Sequence, residues 1–203
     1  VFVGGQGGLV VPSASVGSGI TDIAKHLAGK VKLQTSLGEK SAVDVLVQYL
    51  SPTQRPRLSK NQRLYAVSAD DLGPFTNPLL RLATEGDIPQ LVPMAAAAVK
   101  EMFDHDPLAK DAEAFSERVI QRVALKRTYV LEENGKLVFK LDLGSRSQSG
   151  AELEAPYTLP SERRKGHLTL CLGQISRHLL SSLPRLSLRI DDTDASTAAI
   201  ARK

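Results

Sequence analysis

The sequence predicts a mixed α/β fold, in which a small α/β module precedes a larger α/β domain. Over residues 79–203, hydrophobic periodicity and turn signals give the element order β-α-α-β-β-β-α-β-α. Two local signals support this order. Thr84 and Asp87 have the spacing of a capping box, which begins a helix. Asn134-Gly135 separates two alternating runs, the strongest short-range signal for a β-hairpin.

The first module is predicted over residues 1–78. Its elements are, in order, short strands at VFVGG and GLVVPS, a helix at 20–29, a strand at 30–38 and a helix at 41–50. The glycines of GGQGG (4–8) indicate a hairpin, because no helix follows them as a nucleotide-binding loop requires. Residues 51–78 are rich in Pro, Arg and turn residues and contain one strand, QRLYAVS. This change in composition predicts a domain boundary near residue 78.

The second domain is predicted over residues 79–203. Its strands are LLRLAT (79–84), two arms of a hairpin within 128–144, residues 151–159 and LSLRID (186–191). Its helices follow Thr84 to about Phe103 and then cover 111–125, 167–181 and 196–203. Helix 167–181 carries Leu168, Leu172, Ile175 and Leu179 on one stripe, so it is expected to pack on the sheet.

Composition limits the classes of function. The chain has 203 residues, a formal net charge of +4, no tryptophan, four tyrosines and five phenylalanines. A mild positive charge suits a polyanionic small molecule, while so few aromatic residues argue against a base-stacking surface. No apolar run approaches the length of a membrane span. Cys171 is the only cysteine, which fits a reducing compartment. We therefore expect a cytoplasmic protein without membrane or nucleic-acid partners.

The stretch SERRKGHLTL (161–170) places Arg163, Arg164 and Lys165 directly before Gly166 at the entrance to a helix. The first amides of a helix have no intrahelical acceptors and lie at the positive end of the helix dipole. A glycine there lets a phosphate approach the backbone closely. This pattern indicates a phosphate-binding loop, and a solvated basic turn is the alternative.

The segment YTLPSERRKGHLTLCLGQISRHLL resembles the acetyl-CoA pyrophosphate motif of the GNAT superfamily of N-acetyltransferases, in which Arg/Gln-x-x-Gly-x-Gly/Ala opens a helix after a strand. The resemblance covers about residues 79–203. PRLSKNQRLYAVSADDLGPF and RTYVLEENGKLVFKLDLGSRS further resemble a bacterial subgroup with an additional N-terminal module. The resemblance implies a mostly antiparallel sheet flanked by helices. It also implies transfer of an acetyl group from acetyl-CoA to a small-molecule or peptide amine.

The resemblance also implies which residues bind acetyl-CoA. Arg163 would supply side-chain charge, and the backbone of the loop and first helical turn would surround the pyrophosphate. The strand residue Thr158 and its neighbours would pair with the pantetheine arm, and residues from Asp194 to Ala201 would line the far side. The complete set implied is Tyr157, Thr158, Leu159, Arg163, Arg164, Lys165, Gly166, His167, Leu168, Thr169, Asp194 and Ala198.

Four positions depart from the family pattern. Leu168 replaces a Gly or Ala of the motif, and Asp194 replaces a frequent asparagine. Pro156 stands where members commonly offer a backbone N–H to the acetyl carbonyl. Ala201 stands where a tyrosine often acts as general acid. The resemblance further implies two closing strands after Lys203, which this sequence does not contain. These departures leave open a catalytically weak CoA-binding or regulatory module.

Candidate catalytic groups are few. Glu152 and Glu154 are two residues apart on a predicted strand and therefore face the same side of the sheet. Either could accept a proton from an attacking amine, and a solvated strand face is the alternative. The histidines His26, His167 and His178 are not spaced with other ligands, so no metal site is expected.

Overall fold

The computed structural model describes residues 2–3, 8–12 and 19–203. The chain divides into two compact units, residues 1–61 and residues 62–203. The boundary therefore follows Asn61, whereas the sequence predicted it near residue 78. The reason is the strand at Gln62–Val67, which hydrogen bonds to a strand of the larger unit and so belongs to it.

The N-terminal unit is a small α/β module. It contains β1 (Phe2–Val3), β2 (Leu9–Val11), α1 (Gly19–Leu27), β3 (Thr35–Ser36) and α2 (Lys40–Leu50). Strand β2 pairs antiparallel with β1 and parallel with β3. The predicted strand at 30–38 is reduced to the two residues of β3. Most of the predicted glycine hairpin, residues 4–7, lies outside the described residues.

The larger unit contains six strands and four α-helices within the described residues. They are β4 (Gln62–Val67), β5 (Arg81–Leu82), α3 (Ile88–Phe103), α4 (Pro107–Ala124), β6 (Thr128–Glu133), β7 (Lys136–Ser147), β8 (Gly150–Thr158), α5 (His167–Leu180), β9 (Leu186–Asp191) and α6 (Ala195–Ile200). The predicted hairpin is confirmed, since Asn134 and Gly135 both have positive φ between β6 and β7. Helix α4 changes direction at Asp111, which caps the following turn by accepting a hydrogen bond from the Ala114 amide.

The six strands form one sheet in the order β4-β9-β8-β7-β6-β5. Every neighbouring pair is antiparallel except β8 and β9, which are parallel. The mixed, mostly antiparallel sheet predicted for this unit is therefore present. Strand β4 forms one edge of the sheet, because β9 is its only strand partner among the described residues. All six residues of β4 pair with β9.

Helices cover both faces of the sheet. On one face α5 buries Cys171, Leu172, Ile175 and Leu179 among apolar residues of the central strands. On the other face α3 and α4 bury a second apolar cluster that includes Leu91, Met94, Phe115 and Val119. The chain ahead of β5 also packs on α5, where a Cβ on Gly173 would overlap the Phe75 carbonyl oxygen. None of the helices in the described residues is long and apolar enough to cross a bilayer.

The predicted capping box at the start of α3 is present and is joined by an arginine. The Thr84 amide and hydroxyl both donate to Asp87 Oδ2, at 2.7 and 2.9 Å. Arg81 donates to both oxygens of the same carboxylate, at 2.7 and 2.9 Å. Asp87 is buried, and these donors, Arg81 above all, lower its pKa to about 2. The β5-to-α3 connection therefore depends on an ionised Asp87.

We expect Asp87→Asn to destabilise the protein by about 2 kcal/mol at pH 7, because the pKa of Asp87 falls on folding and each unit is worth 1.36 kcal/mol. Because folding lowers the pKa of Asp87, its ionised carboxylate stabilises the folded protein above the unfolded pKa of 3.8. This stabilisation is lost as the pH falls through the folded pKa of about 2. Urea unfolding of both proteins between pH 7 and pH 2 measures the difference. Asp71→Asn is the matched control, because Asp71 closes an exposed capping box with Ser68. A difference that does not change with pH would contradict this assignment.

Candidate functional site

Strands β8 and β9 separate halfway along the sheet. They pair only from Ala151 to Leu153 on β8 and from Leu186 to Leu188 on β9. Beyond these residues β8 continues towards Thr158 without a strand partner on that side among the described residues. Backbone groups on this side of β8 can therefore hydrogen bond to groups outside the sheet, as the Thr158 carbonyl does with Arg163 Nε.

A β-bulge lies where the two strands separate. On the β7 side Lys140 pairs with Tyr157 and Asp142 pairs with Glu154, so two residues of β8 face Leu141 alone. Those two residues are Ala155, which has a φ of +46°, and Pro156. A bulge bends its strand and changes the direction of the side chains that follow. This one turns the end of β8 away from β9.

The helix entrance lies next to this separation. Gly166 is the N-cap of α5 with a φ of +88°, a conformation that favours glycine, and no side chain caps the helix. The first backbone hydrogen bond of α5 runs from the Leu170 amide to the Gly166 carbonyl. The amides of the three residues between them therefore face outwards at the positive end of the helix dipole.

The end of β8, the start of α5 and helix α6 together enclose a cleft of about 620 Å³, which we call the α5 cleft. This volume lies within the usual range for small-molecule sites. Its lining residues are Glu101, Pro156, Tyr157, Thr158, Glu162, Arg163, Arg164, Gly166, His167, Leu168, Thr169, Asp194, Ser196, Thr197, Ile200 and Lys203.

Nine of the twelve residues expected to bind a cofactor line this cleft. They are Tyr157, Thr158, Arg163, Arg164, Gly166, His167, Leu168, Thr169 and Asp194. The other three do not line it. Ala198 is buried in the apolar core, Lys165 is directed to Glu162, and Leu159 packs beside the cluster under α3. The side chains of these three therefore have structural contacts.

The guanidinium of Arg163 is already engaged. It donates to Glu101 at 2.6 Å and to the Thr158 carbonyl at 3.1 Å, and it lies 5.5 Å from the centre of the Tyr157 ring. Glu101 belongs to α3, and its hydrogen bond raises the pKa of Arg163. No sequence pattern indicated Glu101, which lies 62 positions from Arg163 in the chain. The pair places the Glu101 carboxylate directly beside the cationic group of the motif, in a cleft that Glu162 and Asp194 also line.

Arg164 differs from its neighbour. It is exposed, has a φ of +63°, and has no hydrogen-bond or ion-pair partner among the described residues. Left-handed backbone at a non-glycine residue costs energy, and such residues cluster at active sites and ligand-binding loops. Arg164 is thus a cationic side chain at the cleft whose charge is not neutralised by a described residue.

The two candidate catalytic carboxylates do not line the α5 cleft. Glu152 accepts a hydrogen bond from Arg189 Nε at 2.5 Å. Glu154 lies 3.4 Å from Arg122, which is also near Asp142. Both carboxylates are half-buried on the sheet face that carries α4, opposite to α5. Each carboxylate therefore has an ion-pair partner on a partly exposed strand face.

Three other residues singled out in the sequence are a core residue, a helix cap and a residue outside the cleft lining. Cys171 is fully buried, and burial raises the pKa of its thiol to about 12, so it is a core residue of α5. Asp194 caps α6 by accepting a hydrogen bond from the Thr197 amide at 2.9 Å. Ala201 follows α6 and lies outside the lining of the α5 cleft.

Comparison with known proteins rests on solved structures, since no family model and no curated protein matches the sequence. A GNAT-family acetyltransferase from Colwellia psychrerythraea matches with a TM-score of 0.61 at 15% identity, over 90% of this chain and 65% of that one. A GNAT-family protein from Novosphingobium aromaticivorans matches with a TM-score of 0.51 at 16% identity, over 70% of this chain and 57% of that one. A ribosomal-protein-alanine N-acetyltransferase from Brucella melitensis gives a TM-score of 0.50 at 23% identity, over 61% of this chain and 81% of that one.

These likenesses identify the fold: the chain has the fold of the GNAT superfamily of N-acetyltransferases. The chain spans 65% and 57% of the length of the Colwellia and Novosphingobium proteins.

Proposed function

We propose that this protein is an N-acetyltransferase that binds acetyl-CoA in the α5 cleft and transfers the acetyl group to an amine. One observation carries the proposal: the uncapped N-terminus of α5 faces a cleft that begins where β8 leaves β9. This places backbone donors for an anion beside an unpaired strand edge. A phosphate-bearing ligand with an extended amide arm matches both features.

The pyrophosphate is assigned to the loop and first turn from Arg164 to Thr169. The amides there have no intrahelical acceptors, and the absent side chain of Gly166 leaves open space, since a Cβ on it would meet nothing within 4 Å. Arg164 supplies an unneutralised positive charge. Arg163 would join it after exchanging its contact with Glu101 for a phosphate oxygen.

The pantetheine arm is assigned to the free edge of β8 between Pro156 and Thr158. An extended chain that carries amide groups can add there as a strand would. The Thr158 carbonyl now accepts from Arg163 Nε, so the same movement of Arg163 would release this acceptor. Residues of α6, among them Thr197 and Ile200, close the opposite wall.

The acetyl transfer itself needs three things. The amine nitrogen attacks the thioester carbonyl, a base removes its proton, and the C–S bond breaks to release the thiol of CoA. Glu154 and Glu152 are the candidate bases, and each lies in an ion pair with an arginine. They lie on the sheet face away from α5, so an acceptor amine would approach from the side of α4.

The second candidate function is a CoA-binding module with weak catalysis, and Pro156 is the observation that favours it. Pro156 lines the cleft at the bulge, where a backbone N–H could polarise the thioester carbonyl, and proline has none. Ala201 also offers no proton to the leaving thiolate. Cofactor binding depends on the loop and the strand edge, which these two residues leave intact.

Gly166→Glu should abolish acetyl-CoA binding, because the new carboxylate would occupy and repel the phosphate position. Gly135→Glu is the matched control: Gly135 has a φ of +76° and open space around its Cα, and it lies in the β6–β7 turn. Both variants therefore carry the same charge change and similar backbone strain. Calorimetric titration with acetyl-CoA measures the affinities. Equal affinity of the two folded variants would refute the placement of the pyrophosphate.

Glu101→Gln should tighten CoA binding by about two- to fivefold at low salt, because it frees Arg163 and removes a negative charge from the cleft. The gain should shrink as salt screens the charges. Glu113→Gln, which changes an exposed carboxylate on α4, is the control. Titrations with CoA at two salt concentrations measure the effect. An unchanged or lower affinity would show that Glu101 does not compete with the ligand.

Pro156→Val should raise turnover by up to ~10²-fold, because it restores a donor that acts in the transition state. Cofactor affinity should change little, since that donor contributes mainly to the reaction step. Release of free thiol with a panel of amines measures turnover for the wild type and the variant. Fast wild-type turnover, or no gain with an amine that does react, would show that Pro156 is not at the donor position. If neither protein turns over any amine while both bind CoA, the binding module is the better assignment.

A further inference from the structure

Three potential metal ligands from separate elements of the fold meet beside the entrance of α5. Glu133 ends β6, Glu162 ends the short helical turn Pro160–Glu162, and His167 is the first residue of α5. One ligand atom from each lies within 4.8 Å of the other two. Two of the three belong to the segment that frames the cleft, and the third reaches it from the β6–β7 hairpin.

The imidazole of His167 is the unusual member. The residue is 7% exposed, and its Nδ1 lies 3.7 Å from Glu133 Oε1, which is too long for a hydrogen bond. Its Nε2 is buried and has no hydrogen-bond partner among the described residues. Buried polar side-chain atoms are nearly always hydrogen-bonded, and an exception calls for a specific explanation such as an ion.

We infer that Glu133, Glu162 and His167 form a binding site for a divalent transition metal, of which Zn²⁺ is the best match. Imidazole nitrogen and carboxylate oxygen are both zinc ligands in proteins, and three protein ligands leave a fourth position open. Zn²⁺ is among the metals that imidazole ligands suit. Glu162 and His167 also line the α5 cleft, but the test of the site is metal binding and does not depend on acetyl transfer. The spacing of the histidines in the sequence predicted no metal site.

Lys165 provides a competing cation. Its ammonium lies 2.6 Å from Glu162 Oε2, and this contact lowers the pKa of Glu162. A metal must therefore displace Lys165, which is exposed and free to move into solvent. The site then links the β6–β7 hairpin to the loop before α5. Removal of the lysine charge should consequently favour the metal, whereas removal of either carboxylate should weaken it.

The test uses the full chain, stripped with a chelator and titrated with ZnCl₂ against a chromophoric competitor. We expect one Zn²⁺ per chain. Glu133→Gln and Glu162→Gln should each weaken binding by about tenfold or more, since even changes outside the ligand set cost 10- to 100-fold. Lys165→Met should strengthen it. Glu133 and Glu162 are partly exposed, so their variants should fold even if His167→Gln does not.

His178→Gln is the control, because this exposed histidine lies on the same helix. Affinity that falls in the two glutamate variants, rises in Lys165→Met and is unchanged in His178→Gln would establish the site. Absence of binding at millimolar Zn²⁺ would overturn it. So would an affinity that responds to His178 and is indifferent to the two glutamates, because the metal would then bind at surface histidines.

Discussion

The separation of β8 from β9 is the constraint on which the rest of the larger unit depends. The two strands are parallel and share only three residue pairs. The bulge at Ala155 and Pro156 then turns β8 away. A continuous sheet would have no cleft there and would satisfy every backbone group of β8 internally. The bulge gives up several hydrogen bonds and leaves a polar strand edge next to a helix N-terminus.

The charges around the α5 cleft are largely neutralised by the protein itself. Arg163 contacts Glu101 and Lys165 contacts Glu162. Of the basic residues before α5, only Arg164 is then left to attract an anion together with the helix amides. A basic sequence motif is therefore a poor measure of the available charge. Exchange of partners at Arg163 would couple α3 to ligand binding, because Glu101 lies near the end of that helix.

Strand β4 shows how a segment outside residues 79–203 completes the fold. It precedes β5 by more than ten residues, yet it lies at the opposite edge of the sheet, beside β9. The chain between them packs on α5 at Gly173, where no side chain would fit. The GNAT-like sheet therefore includes residues that composition assigned to a connecting segment.

Local patterns in the sequence determined the helices, the Asn134-Gly135 hairpin, the capping box at Thr84 and the glycine at the entrance of α5. These features depend on neighbouring residues and on backbone preferences, so they can be deduced from the sequence alone. The place of β4, the Glu101 contact with Arg163 and the meeting of Glu133 with His167 were decided by the tertiary structure. Each joins residues that are far apart in the chain, and no periodicity or propensity encodes which distant partners a packed sheet brings together.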